Sequence, residues 1–261
     1  MKNKIIDTHI HLDLKQYGKT LDIVISRAFD SGIDKMIIPG IKSNDMNRIL
    51  SIVDKYENIY FATGNHPNYL DSFDYQKTKE LTTHKKCVAI GECGLDWFRI
   101  PKGSNFNDVK KNQIDVFRQQ IELSIESKKP LILHSRDTDE DMVNTLLDYK
   151  NDLIGGVIHC YVGSKKLLEL EKHGFYYGIG GIITYKSAID LRENIKNIPL
   201  DKLIIETDGP YLTPQQMKGK SKFNEPSFTP YIVKEISKIL NKDYSFIQNN
   251  TYKNTQNLFG I

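Results

Sequence analysis

Two histidines one residue apart, His9 and His11, follow the apolar pair Ile5-Ile6 near the start of the chain. Side chains on an extended backbone repeat every two positions, so both imidazoles project the same way and can grip one metal ion. A lone His-x-His is served equally well by hydrogen bonding on a strand face, and it gains weight from four more ligand types at the ends of later apolar runs. Glu92 ends the run Val88-Ala89-Ile90-Gly91, His134 ends Leu131-Ile132-Leu133, His159 ends Gly156-Val157-Ile158, and Asp208 closes Leu203-Ile204-Ile205-Glu206-Thr207. Buried strands have no packing need for a charged residue at their last position. Four imidazoles and two carboxylates exceed the three protein ligands that one catalytic zinc requires. Six ligands suit a pair of divalent ions about 3.5–4 Å apart, a spacing at which an activated water attacks phosphorus or carbonyl carbon. The expected division puts His9, His11 and Asp208 on one ion and His134 and His159 on the other, with Glu92 bridging.

Five strand ends can meet at one centre only if the strands are parallel and curl around it. Strand-like and helical runs alternate along the chain, as a β/α fold requires. Strands are predicted up to Asp7, at Lys35–Ile38, at Ile59–Thr63, into Glu92, from Leu131 to His134, into His159, at Phe175–Ile179 and up to Asp208. Helices are predicted near 21–30, 44–56, 112–127 and 142–149, then before His173-Gly174, with two more closing the chain. Its 261 residues match the roughly 250 of an eight-stranded α/β barrel, whose active sites lie at the C-terminal face. The expected fold is therefore α/β, a (β/α)8 TIM barrel occupying residues 1–261 as one domain. An open doubly wound sheet would not gather ligands from strands one, five and eight so readily.

A hydrophobic content of 39% and a charged content of 26% belong to an ordinary soluble protein, and the apolar runs are too short to span a bilayer. The first residues pass into a strand without a signal-like apolar stretch, so a cytoplasmic location is expected. Cys87, Cys93 and Cys160 show neither disulfide parity nor Cys-x-x-Cys spacing. The net charge of +3 permits a polyanionic partner without demanding one. No apolar surface stripe is readable, which makes a monomer without an obligate protein partner the default.

Asp7-Thr8-His9-Ile10-His11-Leu12-Asp13, Gly64-Asn65-His66-Pro67, Ile90-Gly91-Glu92-Cys93-Gly94-Leu95-Asp96, His134-Ser135-Arg136, His159-Cys160-Tyr161-Val162-Gly163-Ser164 and Glu206-Thr207-Asp208-Gly209-Pro210-Tyr211-Leu212-Thr213-Pro214 together resemble the TatD family of metal-dependent hydrolases. The ending Asn254-Thr255-Gln256-Asn257-Leu258-Phe259-Gly260 is similar to that family's as well. The resemblance spans the chain in order. It implies an amidohydrolase-type barrel with a divalent-metal site and, commonly, a metal-dependent nuclease acting on DNA or oligonucleotides. Many two-metal relatives in the wider superfamily bridge their ions with a carboxylated lysine at the end of strand four. Glu92 in that place is again similar to TatD proteins. The chain departs from the family pattern at Asn68, where a second histidine is frequent, and at Phe223, where an arginine commonly precedes the asparagine.

Physical chemistry assigns further roles. Asp208, touching both an ion and its water, is the expected general base, and Glu92 shares the catalytic centre as bridge. Glu206 points the same way as Asp208 and either supports the metal ligands from beneath or pairs with Arg136. His66 suits a hydrogen bond to substrate phosphate, or else stabilises its turn. Arg136 offers a planar fork to phosphate. Trp97, Phe98, Tyr161 and Tyr211 either stack on unpaired bases or cap the barrel core. Lys218, Lys220 and Lys222 can track a nucleic-acid backbone. His84 and His173 read as surface or capping groups, and Cys93 and Cys160 as buried thiols turned away from the ligands beside them. Two reactions compete: phosphodiester cleavage at the ends of single-stranded DNA, and hydrolysis of carboxylic esters, lactones or amides. A barrel kept only for binding would not retain all six ligands. Mixed imidazole and carboxylate ligation accepts magnesium, manganese, zinc, cobalt or nickel.

Overall fold

The computed structural model describes residues 4–261. Eight strands follow one another in chain order around a single sheet: β1 Ile5–Asp7, β2 Ile33–Ile38, β3 Ile59–Thr63, β4 Cys87–Asp96, β5 Leu131–Arg136, β6 Gly156–Ile158, β7 Phe175–Ile179 and β8 Leu203–Ile205. Every ladder between successive strands is parallel. Between and after them lie α1 Leu21–Asp30, α2 Asn47–Lys55, α3 Tyr75–Leu81, α4 Phe106–Ser127, α5 Asp139–Leu147, α6 Ile189–Asn194, α7 Thr229–Leu240 and α8 Tyr244–Phe259. The architecture is the (β/α)8 TIM barrel. Among the described residues no helix is long and apolar enough to cross a membrane.

Several elements differ from the sequence reading. The connection from β6 to β7 is a 3-10 turn, Leu167–His173, stopped by Gly174 at φ 86, a left-handed conformation that favours glycine. Helices α3 and α6 have 7 and 6 residues, too short for a 3.6-residue pattern to repeat in sequence. Strand β4 runs on past Glu92 to Asp96.

Alternation along the strands sorts their side chains into two cores. Ile37, Ala62, Ala89, Ile132, Val157 and Ile204 fill the barrel, with Phe259 of α8 packed against them. Met36, Ile38, Phe61, Ile90, Leu131, Leu133, Ile158 and Ile205 face the surrounding helices. The helices answer with stripes at helical spacing, such as Ile49, Ile52 and Val53 of α2 or Ile232, Val233 and Ile236 of α7, and each such buried side chain contributes about 1.5–3 kcal/mol.

The seam between β8 and β1 is held by contacts just beyond the two strands. Thr8 N and Oγ1 both donate to Ile205 O at 3.1 Å, Asp208 N donates to His9 O at 2.8 Å, and Ile10 bridges Gly209. Buried Asp7 accepts from Thr207 N at 2.9 Å and from Thr207 Oγ1 at 2.5 Å. Barrel closure therefore fixes His9 and His11 relative to Asp208.

Candidate metal centre

All six predicted ligands converge at the C-terminal mouth. Glu92 reaches it through a bulge: Gly91 pairs with Ile132 and Cys93 with Leu133, which leaves Glu92 as the extra residue. Bulges re-aim side chains beside functional sites. Gly91 makes room for this one, with φ 152 and Ile132 O only 2.7 Å from where a Cβ would sit. Beyond the short strand β1, the His9 and His11 rings lie 5.0 Å apart.

Glu92 sits in the middle with its two oxygens turned to different partners. Oε2 lies 3.3 Å from His9 Nε2, while Oε1 lies 2.8 Å from His134 Nδ1 and 3.0 Å from His159 Nε2. Asp208 Oδ1 is 3.2 Å from His11 Nε2 and 3.8 Å from His9 Nε2. His9, His11 and Glu92 form one compact donor set, His9, His159 and Asp208 another, and His66, Glu92 and His134 a third. The sets overlap, so the donors make one continuous cluster.

The electrostatics are those of a site suited to a cation. Burial would raise the Glu92 carboxyl, yet the facing imidazoles of His159, His66 and His134 hold it well below the ordinary carboxylate range. Burial favours a neutral His159, but Glu92 and Glu206 outweigh it and raise that ring well above its usual value. His134 and His11 are raised in the same way against burial, by Asp96 with Glu92 and by Asp208 respectively. Burial and the neighbouring His159 lower His9. Asp208 is lowered because His11 and His9 overcome burial. Among the described residues, both ring nitrogens of His9, and Nδ1 of His11 and of His159, are buried without a hydrogen-bond partner. Orphaned imidazole nitrogens around ionised carboxylates are the donor set that a divalent cation takes, displacing the protons. The residues fit metal.

His66 belongs to the same cluster but differs in protonation. Its Nδ1 accepts the Asn68 N–H at 3.1 Å, and burial pushes its pKa down to about 3. The neutral ring therefore carries its proton on Nε2, 3.4 Å from Glu92 Oε1, where it can donate.

Two carboxylates carry more of the site than the sequence predicts. Asp96 is fully buried and accepts His134 Nε2–H at 3.2 Å and Asn68 Nδ2–H at 2.9 Å on one oxygen, and Phe98 N–H at 2.9 Å and Arg99 N–H at 2.8 Å on the other. Against burial, these donors hold it below the ordinary range. It leaves His134 Nδ1 facing Glu92, the orienting arrangement seen around many metal-bound imidazoles. Its signal in sequence is the period-two spacing Glu92, Gly94, Asp96. Asp7 is pushed up to about 7 by burial despite its Thr207 bonds and acts through the seam. Glu206 takes the supporting place of its two expected ones: Oε1 lies 3.8 Å from His159 Nδ1 and accepts the Cys160 N–H at 2.5 Å. Gly178 leaves the space that Glu206 occupies.

The rim divides the four candidate aromatics. Phe98 and Tyr211 are 62% and 50% exposed. The Arg136 guanidinium stacks 3.7 Å over Phe98, and the Tyr211 ring lies 6.1 Å from that of His11. Tyr161 is not on the rim. It is 2% exposed, its hydroxyl donates to Ser164 O at 2.8 Å, and its ring packs edge-on against Tyr177, the core-capping place of the two expected for it. Trp97 donates to Asp141 Oδ2 at 3.1 Å and packs on Phe106. Cys160 has φ 48, so strand alternation does not govern it. Burial, with the charges of Asp208, Glu206 and Glu92, keeps its thiol protonated. Asn224, next to Phe223, is fully buried and ties its loop to the segment just past β8 by donating to Thr207 O at 2.8 Å. Lys218 stacks on Tyr185, and Lys222 lies over Phe223.

An eight-stranded parallel barrel with clustered imidazoles and carboxylates at its C-terminal mouth defines a metal-dependent hydrolase. The family model described as TatD related DNase matches residues 6–260. The chain is 38% identical over 265 residues to the "uncharacterized metal-dependent hydrolase YabD" of Bacillus subtilis, covering 98% of this chain and 99% of that one. It is 32% identical over 266 residues to the "3'-5' ssDNA/RNA exonuclease TatD" of Escherichia coli K12, with 98% and 99% covered. The crystal structure of YJJV, a TatD homolog from Escherichia coli K12, matches with a TM-score of 0.89 at 27% identity, covering 100% of both chains. The chain belongs to the TatD-related DNase family.

Proposed function

We propose that this chain removes nucleotides from the 3′ end of single-stranded DNA or RNA, the activity named for its Escherichia coli relative. The observation that carries the reading is Arg136, whose guanidinium is laid flat on exposed Phe98 two residues past His134. A planar cation on an aromatic ring at the edge of a metal centre suits a phosphate with an adjoining base. A small ester or lactone would have no use for it.

Two divalent cations held by His9, His11, Glu92, His134, His159 and Asp208 would supply Lewis acidity toward the phosphate and a lowered pKa for the attacking water. The chain's own residues do the rest. Arg136 pairs with a non-bridging phosphate oxygen. His66 donates its Nε2 proton to another, its tautomer fixed by the Asn68 N–H. Asp208, ionised and only 13% exposed at its side chain, accepts the water's proton and returns it to the leaving sugar oxygen. Asp96 keeps the His134 ring from turning, and Glu206 places its carboxylate beside His159 Nδ1.

The test is digestion of single-stranded oligonucleotides labelled at either end, with protein reconstituted in magnesium, manganese or zinc and with an Asp208→Asn control. Stepwise shortening from the 3′ end, lost in chelator and in the variant, is expected. Absence of shortening with every metal, in protein shown to hold its ions, would overturn the proposal.

A further inference from the structure

Beside His66, away from the ligand cluster, lies a cavity of about 260 Å³ lined by Lys42, Asn68, Tyr69, Leu70, Asp71 and Ser72. Lys42 comes from the loop after β2 and the others from the 3-10 turn Pro67–Ser72 after β3. The Tyr69 ring centroid is 6.0 Å from that of His66, which is 4.3 Å from that of His134. The Lys42 ammonium lies 4.6 Å from the Tyr69 ring centroid.

Tyr69 is 44% exposed, yet its backbone is tightly held. Its carbonyl accepts Asn65 Nδ2–H at 2.8 Å and Ser72 Oγ–H at 2.6 Å. Asn65 is itself fully buried, accepting Ser43 N–H at 3.1 Å, while Gln120 Oε1 takes its backbone N–H at 2.7 Å. A large ring kept in water on a rigid support gives up burial and is preorganised for contact. Asn68 donates Nδ2–H to the Asp96 carboxylate, which fixes its amide, and among the described residues Oδ1 is left buried without a donor.

We propose that this cavity is a subsite for one unpaired nucleobase next to the phosphate being cleaved. Tyr69 supplies the stacking face and Lys42 the charge for the phosphate linking that base to the chain. The proposal deepens the nuclease reading and rests on it. A phosphate beside His66 leaves its neighbouring base within reach of Tyr69, one ring further out. The Asp71 carboxylate on the wall disfavours phosphate inside the cavity and tolerates a base edge bearing N–H groups.

The experiment measures binding to metal-loaded protein of labelled single-stranded pentanucleotides with phosphorothioate linkages, which resist cleavage. An abasic residue is placed at each position in turn. At one position the abasic residue should weaken binding to the wild type about tenfold, the scale of one stacked base. Tyr69→Ala should weaken binding of the complete oligonucleotide by the same factor and abolish sensitivity to that position, and Tyr69→Trp should restore both. Wild-type affinity in Tyr69→Ala, with the abasic penalty intact, would overturn the subsite even if cleavage proceeds as proposed. Binding with this signature, in protein that cleaves no oligonucleotide, would leave the subsite standing and remove the nuclease reading.

Discussion

Asp96→Asn separates a positioned metal site from a mere collection of ligands. In the variant, the asparagine oxygen can still accept the Phe98 and Arg99 N–H groups, so the loop after β4 stays in place. Its amide nitrogen instead faces Asn68 Nδ2–H and His134 Nε2–H, donor against donor, where Asp96 accepted at 2.9 and 3.2 Å. Hydrogen bonds to charged groups contribute about 1.5–3 kcal/mol each, so losing the one from Asn68 and exchanging the one from His134 for a neutral bond costs about 3 kcal/mol in metal-free protein, or roughly 8 °C in Tm for a chain of this size. His134 then favours the tautomer with its proton on Nδ1, the nitrogen facing Glu92, and metal affinity should fall about 10–100-fold, as expected of an orienting partner. Differential scanning calorimetry in chelator gives the first quantity, and calorimetric titration with manganese gives the second. A variant that melts within about 2 °C of the wild type and binds manganese with unchanged affinity would refute the orienting role.

His66 makes stability acid-sensitive. Its ring would titrate at 6.5 in the unfolded chain but stays neutral down to about 3 when folded. Between those values only the unfolded chain gains the proton, so stability is present above pH 6.5 and is lost as pH falls, by about 2 kcal/mol at pH 5. His66→Gln should flatten the fall of Tm between pH 7 and 5, and an unchanged slope would contradict it. Arg136→Lys keeps the charge but loses the stack and the planar fork, so KM for oligonucleotides should rise about tenfold with kcat nearly unchanged. Tyr161→Phe should lower Tm by about 2–4 °C, the effect of one lost hydrogen bond, and leave kcat/KM alone; a drop in kcat/KM would return Tyr161 to the substrate.

The meeting of the six candidate ligands was legible because each interrupts an apolar run at or just past a strand end, where packing alone has no use for it. Strand count and order came from the same runs. The bulge at Glu92 was not legible, since it depends on how β4 pairs with β5 and not on β4 itself. Asp96 was obscured because β4 continues past the ligand into what reads as loop. Tyr161 was ambiguous because its burial depends on Tyr177, which only the fold brings against it. The pairing of Lys42 with Tyr69 joins two loops whose proximity no local pattern encodes.

The proposed chemistry needs Glu92 to join two cation sites. The direct measurement is manganese stoichiometry in metal-depleted protein, wild type against Glu92→Ala, by titration with elemental analysis of the product. Two ions per wild-type chain, and one or none in the variant, is the predicted result. A single ion in the wild type, or two in Glu92→Ala, would contradict it.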